Sequence, residues 1–396
     1  MTERPRSHRF IENVSWNLLR QGATLAMSFF LTPILVHGLG KEGYGLYALI
    51  GVVLGGIATL TLGAGGATLR LASDAAPKKD ARRLRDIFRN SLFLHVAGPG
   101  LTATVLVLAA AAAPSFFSVP PELAGICVSL LRWVAVGAVC YTAGQAGIGM
   151  LMGMDRFDRS TLLESFLALA LLGGSATLVK LNWGLAGIGP WFALANAAFA
   201  VAALMSAWLE LRRRETHAAA DGHALSLKAF SHEAFPFCLT NLLWVCNFQT
   251  DKVFIAAFLP LSSLTYYVIP FSIVQRLESL PRSVSFAAFQ MAGELSGLGR
   301  AESLRRLYLK ATKLIGFALI PAVVLLFALA PQFLTLWLGS EFSDHGTWPF
   351  RILLGGFSFY FLALTALSIA QGMGKAYYAV YALASSACLA FVIWAV

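Results

Sequence analysis

Ser91–Ala113, SLFLHVAGPGLTATVLVLAAAAA, runs for 23 residues without an Asp, Glu, Lys or Arg, directly after the basic stretch 69–90, LRLASDAAPKKDARRLRDIFRN. At about 1.5 Å of rise per residue an apolar helix of this length reaches across a hydrocarbon core of about 30 Å. The pattern recurs. Apolar windows bounded by charge, Gly or Pro predict spans at 14–36, 43–66, 91–113, 123–150, 161–181, 184–209, 234–258, 261–290, 307–330, 347–371 and 376–396. Of 396 residues, 58% are hydrophobic and 13% charged, against about 25% charged in soluble domains. The mean hydropathy is +0.70. The longest polar stretches, 69–90 and 210–233, are too short to fold by themselves, which excludes a soluble enzyme on a single anchor. The expected class is an all-α polytopic membrane protein of two pseudo-symmetric helix bundles, six spans plus five or six, around a central cavity.

Charge fixes the expected orientation. Basic residues crowd the N-terminal segment (Arg4, Arg6, Arg9) and the second-to-third connection (Arg70, Lys78, Lys79, Arg82, Arg83, Arg85, Arg89). They continue at Arg156 and Arg159, at Arg212, Arg213, Arg214 and Lys228, and from Arg300 to Lys313, whereas the alternate connections carry only Lys41 and Lys180. The excess of Lys and Arg marks the cytoplasmic side, so the N-terminus is expected there. The net charge of +10 is accounted for by loops facing anionic membrane lipids, and no nucleic-acid partner is expected. The five cysteines, Cys127, Cys140, Cys238, Cys246 and Cys388, form no C-x-x-C or Cys/His cluster; no metal and no cofactor is expected.

An internal repeat organises the chain. Gly43-Tyr44 echoes Thr265-Tyr266, Arg82-Arg83-Leu84 echoes Arg305-Arg306-Leu307, and Gly153-x-x-Arg156 echoes Gly372-x-x-Lys375, at offsets of 222, 223 and 219 residues. Two halves of like orientation follow, 1–209 and 234–396, joined by a cytoplasmic connection at 210–233, with a site between them expected.

Charged residues at membrane depth cost about 2.5–3.5 kcal/mol each on insertion scales and mark cavities or partners. Arg20, Lys252, Arg276 and Arg282 are the embedded bases, and Glu164, Asp251 and Glu278 the embedded acids. Asn17, Gln21, Thr24 and Ser28 share one face of the first helix with Arg20 alongside, and Thr240, Trp244, Asn247 and Asp251 repeat that spacing in the seventh. Arg20, Arg276 and Arg282 fall in the cytoplasmic half, a cationic cluster suited to a phosphate or pyrophosphate. Bland readings stand beside these: Arg282 at the interface or neutralised by Glu278 at i, i+4, Lys252 snorkelling outward past Phe258, and Arg20 and Arg276 packing between helices.

The segment Asn13–Ala72, with Gly40-Lys41-Glu42-Gly43-Tyr44-Gly45-Leu46, Leu62-Gly63 and Ala67-x-x-Arg70, resembles the opening of bacterial polysaccharide-biosynthesis membrane proteins. These are oligosaccharide-lipid flippases of the multidrug/oligosaccharidyl-lipid/polysaccharide (MOP) exporter superfamily. Asp251-Lys252, Tyr266-Tyr267 and Arg276–Pro281 resemble the start of that family's second half. The resemblance implies a non-enzymatic transporter of the bacterial cytoplasmic membrane that moves undecaprenyl-pyrophosphate-linked oligosaccharide outward by alternating access. It makes Arg20 and Arg276, with Arg282, Asn17 and Gln21, the candidates for diphosphate or acidic-sugar contacts. Asp251, Lys252 and Asn247 become candidates for gating or ion coupling. Implied partners are a coupling ion (proton or sodium), a polysaccharide polymerase and glycosyltransferases. Family members usually have twelve or fourteen spans, and the second half here lacks a counterpart of 184–209, so a truncated product or a shorter member is expected.

Two other readings remain. A multidrug or organic-cation antiporter of the same superfamily would want uncompensated acids in its cavity, and the embedded bases outnumber the acids. A membrane-embedded polymerase or transferase acting on lipid-linked sugars would need a catalytic constellation, for which only Glu341, Asp344 and His345 cluster in an outer connection.

Overall fold

A computed structural model describes residues 6–78, 80–215, 224–297, 300–373, 375 and 377–395, with side chains described from residue 26 onward except at scattered positions. Among the described residues there is no strand. The helices are α1 Arg6–Thr59, α2 Ala64–Ala75, α3 Ala81–Ala109, α4 Ala113–Phe116, α5 Pro121–Gly153, α6 Phe157–Lys180, α7 Gly184–Glu215 and α8 Leu227–Phe248. They continue as α9 Thr250–Phe258, α10 Leu261–Leu277, α11 Ser279–Gly297, α12 Ala301–Ala328, α13 Ala330–Leu338, α14 Ser340–Gly372 and α15 Tyr377–Ala395. Seven described helical stretches are each long and apolar enough to cross a membrane: Ala26–Thr59, Ala81–Phe116, Pro121–Gly153, Phe157–Lys180, Gly184–Arg214, Ala301–Ala328 and Ser340–Gly372.

The first two predicted spans lie in α1, which turns at Gly40 (φ 70°, ψ 170°). Only glycine adopts such angles cheaply. A Cβ at Gly40 would meet nothing within 4 Å, so the backbone angle and not packing demands glycine there. The predicted continuation of the second span to residue 66 is corrected: the helix stops at Thr59, and Leu62 and Gly63 take positive φ before α2 begins.

The chain forms two compact units, 1–245 with 256–261, and 246–255 with 262–396. In the first, α5 and α7 pack along a glycine seam. A Cβ at Gly137 would lie 2.6 Å from the Phe192 ring, one at Gly144 2.6 Å from Phe199, and one at Gly147 2.7 Å from the Ala203 backbone. Small residues at such spacing let helix backbones approach closely, the main source of packing energy where lipid removes the hydrophobic drive. At the basic end of these helices Leu84, Ile87, Met150, Leu151, Leu211 and Phe230 form a buried core. The start of α8 is tied to it: Asn90 donates to Leu225 O at 2.9 Å, Leu225 N–H donates to Asp86 at 3.1 Å, and Arg70 pairs with Glu233 at 2.7 Å. Gly63 and Gly66 complete this socket, since a Cβ on the first would meet Ala234 O at 2.2 Å and on the second the Phe237 ring at 2.4 Å.

In the second unit, α11 and α12 pack beside α14, with Ala288, Ala292, Ala311 and Ile369 at their core. The two predicted spans at 234–258 and 261–290 are each divided, at Gln249 and at Glu278.

Candidate functional site

Both divisions carry embedded charge. At the first, side chains take over both ends of the backbone bond that a continuous helix would make. Lys252 N–H donates to Asp251 Oδ1 at 2.8 Å, and Phe248 O accepts from Lys252 Nζ at 2.5 Å. Lys252 Nζ also donates to Gln249 Oε1 at 3.0 Å and stands 3.8 Å from the centroid of the Phe271 ring, whose face attracts a cation. The side chain is thus held by a carbonyl, an amide and a π-face, and Lys252 is only 5% exposed. Outward snorkelling past Phe258 is therefore corrected: the freed carbonyl at the division gives the ammonium a nearer partner. The Tyr267 hydroxyl donates to Asp251 Oδ2. The expected stripe through Thr240, Trp244, Asn247 and Asp251 crosses the division at Gln249, with the first three in α8 and Asp251 in α9.

The second division has a cause in sequence. Pro281 has no N–H and leaves Leu277 O without its helical donor, so α10 ends at Leu277 and Glu278 forms a turn, its N–H donating to Gln275 O at 3.2 Å. Arg282 donates to Glu278 Oε1 at 2.5 Å, and the Tyr360 hydroxyl donates to the same oxygen at 3.2 Å. The carboxylate is buried while Arg282 is 65% exposed along its side chain. This is the neutralising i, i+4 pair that the sequence allows. Arg276 is half-buried in the last turn of α10, where a cation faces the negative end of the helix dipole.

Aromatic side chains of α14 join the two divisions. Phe357 lies 5.9 Å from Phe248 and 5.6 Å from Phe271, and Tyr360 lies 5.4 Å from Phe248, centroid to centroid. The result is one polar and aromatic network, Tyr267–Asp251–Lys252–Phe271–Phe357–Tyr360–Glu278–Arg282. In low dielectric an unpaired charge is expensive, and here each acid has a bonded partner: Asp251 has Tyr267 and the Lys252 backbone, and Glu278 has Arg282 and Tyr360.

Of the expected site residues, the structure brings Asp251 and Lys252 together at the first division and sets Arg282 at the second. Asn247 binds elsewhere, donating to Leu383 O at 2.9 Å and accepting from Ser386 at 2.5 Å, which ties the end of α8 to α15. Asn17, Arg20 and Gln21 lie in α1, but their side chains fall outside the described residues. Sequence reasoning missed Tyr267, Phe271, Phe357 and Tyr360 as members of the network. Tyr266-Tyr267 was legible only as part of the family resemblance, whereas the hydroxyl of Tyr360 in an otherwise apolar run was an available signal.

Seven helical stretches long and apolar enough to cross a membrane, with no strand among the described residues, define a polytopic helical membrane protein. A model of the family described as polysaccharide biosynthesis protein matches residues 10–291, and the chain belongs to that family. In fold it is similar to the inward-facing conformation of a multidrug resistance MATE family transporter of the MOP superfamily. That likeness has a TM-score of 0.71 at 17% identity and covers 90% of this chain and 83% of that one. It is also similar to a MOP superfamily transporter from Pyrococcus furiosus, described by the reverse polarity of its binding pocket, with a TM-score of 0.65 at 17% identity over 94% of this chain and 84% of that one. The outward-facing conformation of a MATE family transporter gives a TM-score of 0.64 at 19% identity over 92% and 82%. No curated protein matches in sequence.

Proposed function

We propose that this protein translocates an undecaprenyl-pyrophosphate-linked oligosaccharide across the bacterial cytoplasmic membrane for surface-polysaccharide assembly, by alternating access and without covalent chemistry. The observation that carries this reading is membership of the polysaccharide-biosynthesis family over residues 10–291, on a fold that solved transporters share. The N-terminus lies in the cytoplasm, as the distribution of Lys and Arg requires. Arg20 and Arg276, with Arg282, Asn17 and Gln21, contact the diphosphate or acidic sugars. Asp251 and Lys252 serve gating or ion coupling, and Asn247 supports them through α15. The substrate arrives from glycosyltransferases and is passed to a polymerase.

The likeness to MATE transporters favours a second reading, a multidrug antiporter driven by a cation gradient. The described acids of the second-unit network speak for the first, since each already has bonded partners and neither is left to hold an organic cation. Proteoliposomes separate the two. Uptake of a short-chain prenyl-pyrophosphate oligosaccharide, lost in Arg20→Ala and Arg276→Ala while both variants remain inserted, is the expected result. Counterflow of ethidium with no lipid-linked sugar movement would sink the flippase reading in favour of the antiporter.

A further inference from the structure

At the basic end of α5–α7 a buried carboxylate is surrounded by guanidinium groups that do not bond it well. Glu210, 7% exposed, lies 3.8 Å from Arg156 Nε, 3.7 Å from Arg159 Nη1 and 3.4 Å from Arg214 Nε. Arginine and carboxylate in a bonded pair close to about 2.7–2.9 Å. Arg214 spends a donor elsewhere, on Met154 O at 2.7 Å. Arg156 has one further acid, Asp158, at 3.6 Å. Among the described residues neither the Arg156 nor the Arg159 side chain makes a hydrogen bond, and Arg156 Nε and Glu210 Oε2, buried and 3.8 Å apart, face each other as an ion pair without bonding. Two guanidiniums, each with five N–H donors, are thus placed by loose ion pairs, with none of those donors in a side-chain hydrogen bond. Arg156 is also the N-cap residue of α6, whose first turn has no side-chain cap, so the positive end of that helix adds to the same field.

The surroundings say what kind of anion fits. Arg159, Leu162 and Phe166 follow one another at i, i+3 and i+7, on one face of α6, and Leu162 is 49% and Phe166 68% exposed. On α7, Arg212 stacks over the Trp208 ring at 3.9 Å, an arrangement suited to the boundary between head groups and hydrocarbon. A phosphate at Arg156 and Arg159 with an acyl chain descending over Leu162 and Phe166 satisfies both the free donors and the apolar strip.

We propose that Arg156 and Arg159 form a head-group site for an anionic phospholipid, with Glu210 as the internal counter-ion that holds the two guanidiniums apart when the lipid is absent. The site is separate from the network of the second unit and does not depend on which substrate is carried. It converts a basic surface, which would attract any acidic membrane, into a discrete position with a built-in competitor.

Native mass spectrometry of the full chain in detergent, titrated with phosphatidylglycerol, phosphatidylcholine or undecaprenyl pyrophosphate, tests this. Phosphatidylglycerol is expected to bind in preference to both others. The double variant R156Q/R159Q is expected to bind it about thirtyfold more weakly, from roughly 1 kcal/mol per basic residue at a membrane surface. R305Q/R306Q, which removes the same charge from exposed positions on α12, is expected to change nothing. Glu210→Gln is expected to tighten binding, because the competitor is gone while the shape is kept. Equal loss in the α12 variant, unchanged affinity in R156Q/R159Q, or equal binding of phosphatidylcholine overturns the proposal. Preferential binding of undecaprenyl pyrophosphate overturns it too, by giving the cluster to the substrate. If R156Q/R159Q does not fold, Glu210→Gln decides: tighter binding supports the site, and unchanged or weaker binding removes it.

Discussion

The two compact units solve the same problem in opposite ways. In the first, α5, α6 and α7 run unbroken for 33, 24 and 32 residues and gain their packing from glycines that let backbones touch. In the second, α8 and α9 are divided at Gln249 and α10 and α11 at Glu278, and charge and aromatic rings occupy the gaps. Away from their ends and from Pro190 of α7, unbroken helices satisfy their backbone groups within themselves, so they can be packed by shape. A divided helix releases carbonyls and N–H groups that must find side chains, because lipid offers none. Embedded charge in the second unit is thus attached to backbone that has already left its ladder. Such positions can exchange partners at lower cost than a continuous helix can.

The sharpest way to break this contrast is at the seam. Gly147→Val places a branched side chain against the Ala203 backbone, which cannot yield as a side-chain tip can. A loss of roughly 3 kcal/mol, the upper part of the overpacking range, is expected in thermal unfolding of the purified protein, with transport lost along with folding. The second unit should behave differently. Lys252→Met keeps the volume but leaves Phe248 O and Gln249 Oε1 without the ammonium, and about 2 kcal/mol of destabilisation is expected from the unpaired buried acceptors. The insertion level should be normal, and transport should fall further than stability accounts for; equal falls in both would assign Lys252 to packing alone. Tyr360→Phe removes one donor from Glu278 and leaves Arg282, so a smaller loss of about 1.5 kcal/mol is expected, with a double-variant cycle against Arg282→Gln showing that the two donors are coupled.

The smallest effect lies outside the spans. The hydrogen bond from Lys78 holds the Asp74 carboxyl below the usual carboxylate range, with the charges of Lys78, Arg83 and Arg70 acting in the same sense. A depressed carboxylate contributes stability that is present above its unfolded pKa of about 3.9 and lost as pH falls through its folded value. Asp74→Asn should therefore leave the melting temperature at pH 7 almost unchanged and remove a small part of the acid sensitivity below about pH 4. Melting curves at the two pH values check it.

Apolar windows located α5 and α6 to within four residues at each end, because a run without charge has one stable solution in lipid, whereas α3 begins ten residues before its window and α7 ends six after, both in basic stretches that the windows left out. The divisions were less legible. Pro281 announces the one at Glu278 through its missing N–H, but no proline or glycine stands at Gln249, and there the cause is the pair of side chains that outcompetes a single backbone bond. Periodicity ran Asn247 and Asp251 into a single helix for the same reason: a period carries no sign of a division. Tyr360 and Phe357 could not be placed beside Glu278 and Phe248, since that contact joins positions 82 and 109 residues apart in the sequence and nothing local encodes it. The loose grouping of Arg156, Arg159 and Arg214 was read only as positive loop charge, because Glu210 sits at the end of an apolar helix.

The glycine socket at Gly63 and Gly66 has a bearing on how such chains can be recombined. Although α8 begins after the central connection, its first turns are built into the first unit, so the repeat boundary in sequence and the boundary in space differ by one partial helix. A hybrid joined at the connection would bring a foreign helix to a pocket shaped for Ala234 and Phe237. A junction near Val245 and Cys246 would keep lock and key from the same parent. Removing this part of α8 would take Phe230 and Ala234 out of the first unit's own interior.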